Sequence, residues 1–175
     1  MIIKNYKILK STNLKAKELA KKGADPWTIV VAKEQTSGYG RKKTAWSSPK
    51  GGLYFSAILP KSNIDDLQTL TILAAFICAK TIKENFNLET FIKLPNDVWI
   101  NGKKVAGILT ENIIGREVKL SVMGIGLNTN IKKFPKDLEN IATSLRIELG
   151  KEVDNGKLLK QIIEGLKEQL RTISE

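Results

Sequence analysis

The stretch EQTSGYGRKKTAWSSPKGGLYFSAIL, residues 34–59, sets Gly38, Gly40, Gly51 and Gly52 among Arg41, Lys42, Lys43 and Lys50. Glycines permit close backbone approach and positive φ, which turns amide N–H groups toward an anion. Arg41 directly follows Gly40 and has the planar fork that grips a phosphate or carboxylate through two hydrogen bonds. Trp46 offers a flat face to a base or ring, and serves equally as an anchoring core aromatic. The chemistry suggested is the holding of an anion, although a basic surface loop has the same composition.

KLPND, residues 93–97, is a second candidate. Proline disfavours helical geometry in the residue before it, so Lys93 and Leu94 are expected to be extended at a strand end. The two-residue period of a strand then sends Lys93 to one face. Asn96 and Asp97 suit a turn. GIGLN, residues 124–128, reads as a strand end with a glycine bulge. Ser11 or Thr12 reads as a helix cap, and a cap can also face a ligand.

Absences narrow the chemistry. The sequence has no histidine, which excludes Ser-His-Asp and Cys-His catalysis and histidine-based metal sites. One cysteine, Cys78, rules out an internal disulfide and a zinc ribbon, and it lies in an apolar stretch where free cysteine packs as a small hydrophobe. Any catalysis therefore runs on Lys, Arg, carboxylates, backbone amides and bound metal ions.

The 175 residues suffice for one domain with a full core, and 42% apolar with 27% charged residues is a normal globular balance. The richest apolar run, LTILAAFICA at 70–79, falls short of the roughly 18 residues a membrane span needs. MIIKNYKILKSTN, at the start, shows no signal-peptide pattern, and with one cysteine the chain is expected to be cytoplasmic. The net charge of +11 is uneven: residues 1–50 hold 12 Lys or Arg against 3 Asp or Glu, and the other 125 hold 17 against 15. A basic half suits nucleic acid, a phosphate ligand or an acidic protein, or is a solvated lysine-rich face; charge alone does not choose.

Periodicity supplies the elements that must position these residues. STNLKAKELAKKG (11–23) predicts a short helix with a Ser or Thr cap and Gly23 beyond its end. WTIVVAKE (27–34) and GLYFSAIL (52–59) predict strands, with a structureless connection of roughly 17 residues between them, a length that marks a functional or disordered loop. Residues 65–86 predict a helix with aspartates at its start and apolar residues at 70, 73, 74, 77, 78 and 82 on one face. FIKLPNDVWINGKKVAGILTEN (91–112) predicts strand, turn, strand, with Asn101-Gly102 as a hairpin turn. A turn at Gly115 and a strand within 117–130 follow. Residues 154–174 predict an amphipathic helix, apolar at 158, 159, 162, 163, 166, 170 and 173. Strands clustered between helices argue for an α+β domain with a mixed, largely antiparallel sheet. No strand–GxGxxG–helix unit occurs, which excludes a dinucleotide-binding Rossmann domain.

Read together, STN (11–13), residues 34–59, KLPNDVWINGKKVAGILTE (93–111) and GIGLNTN (124–130) resemble the biotin–protein ligases, with the family's motifs in the same order and the likeness covering residues 8–173. The resemblance implies a mixed sheet backed by helices, related to class II aminoacyl-tRNA synthetases. It implies a single catalytic domain over 1–175, without the N-terminal helix-turn-helix or small C-terminal β-barrel domain found in the family. The implied reaction has two steps. Biotin's carboxylate attacks the α-phosphate of ATP with Mg²⁺ present, giving biotinyl-5′-AMP and pyrophosphate. A lysine of a biotin carboxyl carrier protein, an acetyl-CoA carboxylase subunit, then expels AMP. A homodimer is expected, with no nucleic-acid or membrane partner.

By the same likeness, Arg41 and Lys93 supply the positive charge that a phosphoryl transition state needs, with Lys42 assisting. Ser11, Thr12, Asn13, Gln35 and the backbone of Tyr39 and Gly40 are expected to hold biotin, with Arg41 and Lys93 beside them. Gly124, Gly126 and Leu127 are expected to form a wall of that pocket. Gly38, Arg41, Lys42, Trp46, Lys93, Asn96, Asp97 and Asn128 are expected at the nucleotide. The chain departs from the family pattern at Tyr39, where arginine is usual, at Lys43 and Thr44 in place of Gly-Arg, and at Leu94 in place of tryptophan. Lysine lacks arginine's fork, so looser closure of the loop over the adenylate is expected. The rival readings are a lipoate–protein ligase or octanoyltransferase of the same fold and a non-catalytic biotin-binding module. A nucleic-acid binder is the weakest, for want of interleaved exposed aromatics.

Overall fold

Short runs rich in Val, Ile, Phe and Tyr, broken by Gly and Asn turns, assemble into one sheet in the computed structural model, which describes residues 1–60, 66–113 and 120–174. Its strands are β1 (Ile2–Leu9), β2 (Thr28–Gln35), β3 (Leu53–Leu59), β4 (Phe91–Lys93), β5 (Asp97–Ile100), β6 (Lys103–Ile113) and β7 (Leu120–Leu127). They lie in the order β1-β2-β3-β7-β6-β5-β4. Only the β1–β2 pair is parallel, and it is joined by helix α1 (Thr12–Lys21). Helices α2 (Leu67–Phe86), α3 (Leu145–Leu149) and α4 (Asn155–Ser174) complete the α+β domain. The Gly115 turn, Asp65 and residues 117–119 of the expected elements lie outside the described residues.

Side-chain alternation divides the sheet into two unlike faces. Phe55 and Ala57 of β3, Met123 and Ile125 of β7 and Ile108 of β6 point into the larger core. There α2 contributes Leu70, Ala74, Ile77, Cys78 and Ile82, and α4 contributes Leu158, Leu159, Ile162, Ile163, Leu166 and Leu170. These positions repeat every three or four residues, the spacing that buries one helix stripe. The other face is only partly covered. Ala16 and Ala20 of α1 pack on Val30, Ile58 and Val122. Beyond α1, this face carries Gly107 opposite Gly126, and Leu109 opposite Gly124. The sheet is bare there, and the cavity forms over it.

Three elements differ from expectation. β1 is an edge strand whose residues are nearly all exposed or half-buried, so it lacks the alternation that would reveal it. Residues 91–112 hold three strands rather than two, with the cis Leu94–Pro95 bond between β4 and β5. Asn101 and Gly102, at φ 48 and 75, turn β5 into β6 as expected of that dipeptide. The short α3, capped by Ser144 and ended by Gly150 at φ 70, was hidden by its length.

Candidate active site

The cavity starts at the N-terminus of α1. Ser11 caps the helix from an extended backbone, its Oγ accepting from Leu14 N at 3.5 Å. Thr12 and Asn13 then face the sheet, and like Ser11 each is 4% exposed. Buried polar groups of this kind need partners, and they have them. Thr12 donates from its backbone N and its Oγ1 to Gln35 Oε1, at 2.7 and 3.1 Å. Gln35 Nε2 donates to Ser48 Oγ at 2.8 Å. Ser56 Oγ sits between Thr12 Oγ1 and Asn13 Oδ1, at 2.8 and 2.6 Å. Asn13 Nδ2 donates to Glu111 Oε2 at 2.8 Å. The floor is therefore a continuous set of fixed donors and acceptors, the kind that orients a small polar ring edge.

Missing side chains make the room. A Cβ at Gly124 would lie 2.1 Å from Asn13 Oδ1, and one at Gly126 would lie 2.4 Å from Trp46 Nε1. A Cβ at Gly107 would press the same indole at 3.0 Å. Trp46 Nε1 is buried and has no hydrogen-bond partner among the described residues.

The connection between β2 and β3, expected to be structureless, is folded on itself. Gly40 N donates to Thr44 O at 2.8 Å and Trp46 N to Gly38 O at 2.9 Å, around a 3-10 turn at Arg41–Lys43. Lys42 and Lys43 both hold positive φ, 52 and 58, an uncommon conformation for lysine that turns up at ligand-holding sites. Thr36 N and Ser37 N tie the root to Leu9 O and Lys10 O. Across the mouth, Tyr39 OH donates to Glu111 Oε2 at 2.9 Å, while Lys17 Nζ lies 2.6 Å from Oε1. Burial pushes the Glu111 carboxyl up, but the hydrogen bonds from Lys17, Asn13 and Tyr39 outweigh it and hold it below its usual range. Burial first, then Glu111, raise the Tyr39 phenol well above its own.

The resulting cavity has a volume of about 360 Å³. It brings together Ser11, Thr12, Asn13 and Gln35 with Tyr39, Gly40, Arg41 and Lys42 of the loop. Trp46, Asn96, Asp97, Gly124 and Gly126 line it as well. Four expected residues lie elsewhere. Lys93 shares the sheet face of Asp97, but its ammonium rests 4.5 Å from the centre of the Trp99 ring, outside the cavity. Leu127 points to the opposite face of β7, into the larger core, because it is odd in register with Gly124 and Gly126. Gly38 packs behind the loop, where a Cβ would meet Ser48 Oγ and Trp46 O at 2.7 Å. Asn128 donates to Thr143 O at 3.0 Å and lines a neighbouring cavity of about 170 Å³. That second cavity shares Trp46 and Lys104 with the first and is closed by Phe134, Leu138 and Ile141.

Lys104 is a cation of the cavity lining that the sequence did not single out. It lines both cavities, with Nζ 2.7 Å from Asp97 Oδ1 and 5.0 Å from the centre of the Trp46 ring. Its signal was present three residues before Gly107, in the KxxGIL run. Among the described residues neither Arg41 nor Lys42 has a carboxylate partner, so their charge is open to an anion. Cys78 is fully buried in the other core, its thiol pushed up to about 12 by burial. A floor of hydrogen bonds and a rim of cations, with no activated side-chain nucleophile among the described residues, suit the joining of two bound molecules.

The fold is that of a synthetase-like α+β domain. The chain belongs to the Biotin/lipoate A/B protein ligase family, whose model matches residues 6–128. It is 40% identical over 163 residues to the bifunctional ligase/repressor BirA of Bacillus subtilis, covering 90% of this chain and 50% of that protein. It is 36% identical over 126 residues to the biotin–[acetyl-CoA-carboxylase] ligase of Paracoccus denitrificans, covering 67% of this chain and 50% of that one. The structure of the Aquifex aeolicus biotin protein ligase in complex with biotin and ATP superposes with a TM-score of 0.89 at 29% identity, covering 99% of this chain and 72% of that one. The chain thus spans about half the length of the curated relatives it matches.

Proposed function

We propose that the chain activates biotin with ATP and passes it to a lysine of a biotin carboxyl carrier protein. The observation that carries this reading is the meeting, in one cavity, of a hydrogen-bonding floor with the cations Arg41, Lys42 and Lys104. The floor of Ser11, Thr12, Asn13 and Gln35, with the backbone of Tyr39 and Gly40, takes the ureido edge of biotin, while Gly124 and Gly126 leave space for its rings. In the first step a carboxylate oxygen of biotin bonds to the α-phosphorus of ATP and the bond to the β-phosphate breaks, releasing pyrophosphate. Arg41 and Lys104 offset the charge that gathers between the two anions, with Lys42 beside them. Trp46 and the apolar wall of Phe134, Leu138 and Ile141 receive the adenine, near Asn96 and Asn128. In the second step the carrier's amine bonds to the acyl carbon, the carbon–oxygen bond to AMP breaks, and the amine's proton passes to solvent.

Mg²⁺ fits such a site as a companion of the nucleotide. Among the described residues no three His, Cys, Asp or Glu side chains form a cage. Asp97 is the one carboxylate lining the larger cavity, which agrees with an ion held mainly by phosphates. The ion would supply charge neutralisation there. The carrier, a homodimeric state and a cytoplasmic location belong to the same proposal; no described helix is long and apolar enough to cross a membrane.

The deciding experiment is pyrophosphate release from ATP and Mg²⁺ with biotin, octanoate or lipoate. Release that depends on biotin supports the reading. Release that depends on octanoate or lipoate moves the chain to the lipoate branch of its family, and biotin binding without release makes it a binding module.

A further inference from the structure

We propose that Tyr39 is a positioning residue, a latch that holds the basic turn over the cavity through Glu111. The turn at 39–45 closes on itself through Gly40 and Thr44, and Tyr39 is where it meets the body of the protein. The phenol donates to Glu111 Oε2 at 2.9 Å and also contacts the Ser11 hydroxyl. Glu111 is itself fixed from α1, by Lys17 at 2.6 Å and Asn13 at 2.8 Å. Three side chains, two from α1 and one from the turn, therefore converge on one carboxylate, and a hydrogen bond to a charged acceptor is stronger than a neutral one. The raised phenol and lowered carboxyl keep donor and acceptor in these states throughout neutral pH.

All the bonds of the latch are between protein groups, so it orders the turn without a ligand. Gly40, Arg41 and Lys42 are then in the cavity wall before biotin arrives, and binding need not supply the ordering. Asn13 couples latch to floor, since its Oδ1 lies 2.6 Å from Ser56 Oγ while its Nδ2 holds Glu111.

The identity of the ligand rests on the biotin reading; the latch itself does not. The test is amide hydrogen exchange at Gly40, Thr44 and Trp46 in the ligand-free full chain, with biotin affinity measured by titration calorimetry. Tyr39→Phe removes only the hydroxyl. We expect exchange at those three amides at least ten-fold faster, unchanged protection in β3 and β7, and biotin binding weakened by a similar factor, because only the closed fraction binds. The double variant Tyr39→Phe/Glu111→Gln should speed exchange by less than the product of the two single effects, since both changes act on the shared Tyr39–Glu111 bond. Unchanged loop exchange in Tyr39→Phe, equal loss of protection across the molecule, or independent effects of the two changes would each overturn the latch. If the wild-type chain binds no biotin, the functional reading falls, and the exchange contrast still decides the latch.

Discussion

Lys104 and Asp97 form an ion pair across neighbouring strands, Nζ to Oδ1 at 2.7 Å, on the wall shared by the two cavities. Each side chain is roughly a quarter exposed or less. Lys93, one strand further out, has its ammonium over Trp99 instead. The two lysines separate the roles that residue type alone left mixed.

Lys104→Gln is expected to lower biotin-dependent pyrophosphate release about 100-fold or more, the scale for removing one group aimed at developing charge. Lys93→Gln is expected to leave that rate within about two-fold, the scale of a surface change away from the site. Steady-state assays of both variants check this. An equal loss in both, or a larger one at Lys93, would return the role to the KLPND motif.

Gly126→Ala puts a methyl group 2.4 Å from Trp46 Nε1, and the indole must move. Overpacking of this sort costs about 1–3 kcal/mol, so the urea midpoint should fall. Biotin affinity and nucleotide affinity should both fall, because Gly126 and Trp46 line the larger cavity and Trp46 borders the second one as well. Titration of each ligand separately checks this, and an unchanged nucleotide affinity would count against a wall role for Trp46.

Glu111 has a carboxyl pKa below that of the unfolded chain. The stability it contributes is therefore fully present above the unfolded value of about 4.3 and is lost as pH falls through the lower folded value. The stability gap between wild type and Glu111→Gln should be flat from pH 7 to about 5 and shrink below about 4, given those two limits. Urea unfolding at stepped pH measures it. A gap that stays the same size as the pH falls well below the unfolded value would place its origin outside the carboxylate.

Cys78 is fully buried, with its thiol raised to about 12. Only the thiolate reacts readily, so the native chain should resist alkylation at pH 8 and react once in denaturant. Rapid modification under native conditions would show that the α2–sheet core opens.

The cavity was more legible in the sequence than the sheet that carries it. The STN cap, the glycine-rich loop and GIG each announce themselves by residues that ordinary packing does not need. Thirteen of the expected site residues line one cavity, four do not, and the geometric reasons differ. Leu127 lies off the cavity by strand parity, since glycines at 124 and 126 place 127 on the opposite face. Lys93 lies outside its lining because a strand's period chooses a face but not the lateral reach along it. Lys104 was passed over because a lysine two residues into a strand looks like any solvated edge charge, and only the register of β5, β6 and β7 shows what stands opposite. Glu111 was invisible as a partner of Tyr39, because the two are 72 positions apart. β1 escaped because edge strands with lysines do not alternate.

Trp46 is one of three tryptophans, and the other two stand beside Lys167 and beneath Lys93, away from the cavity. Its indole forms the partition between two chambers, with an ammonium over its ring. Whatever enters either chamber lies against that ring and changes its surroundings. The chain therefore carries a built-in optical gauge, in which the wavelength and intensity of ultraviolet emission register the filling of each chamber without any attached dye.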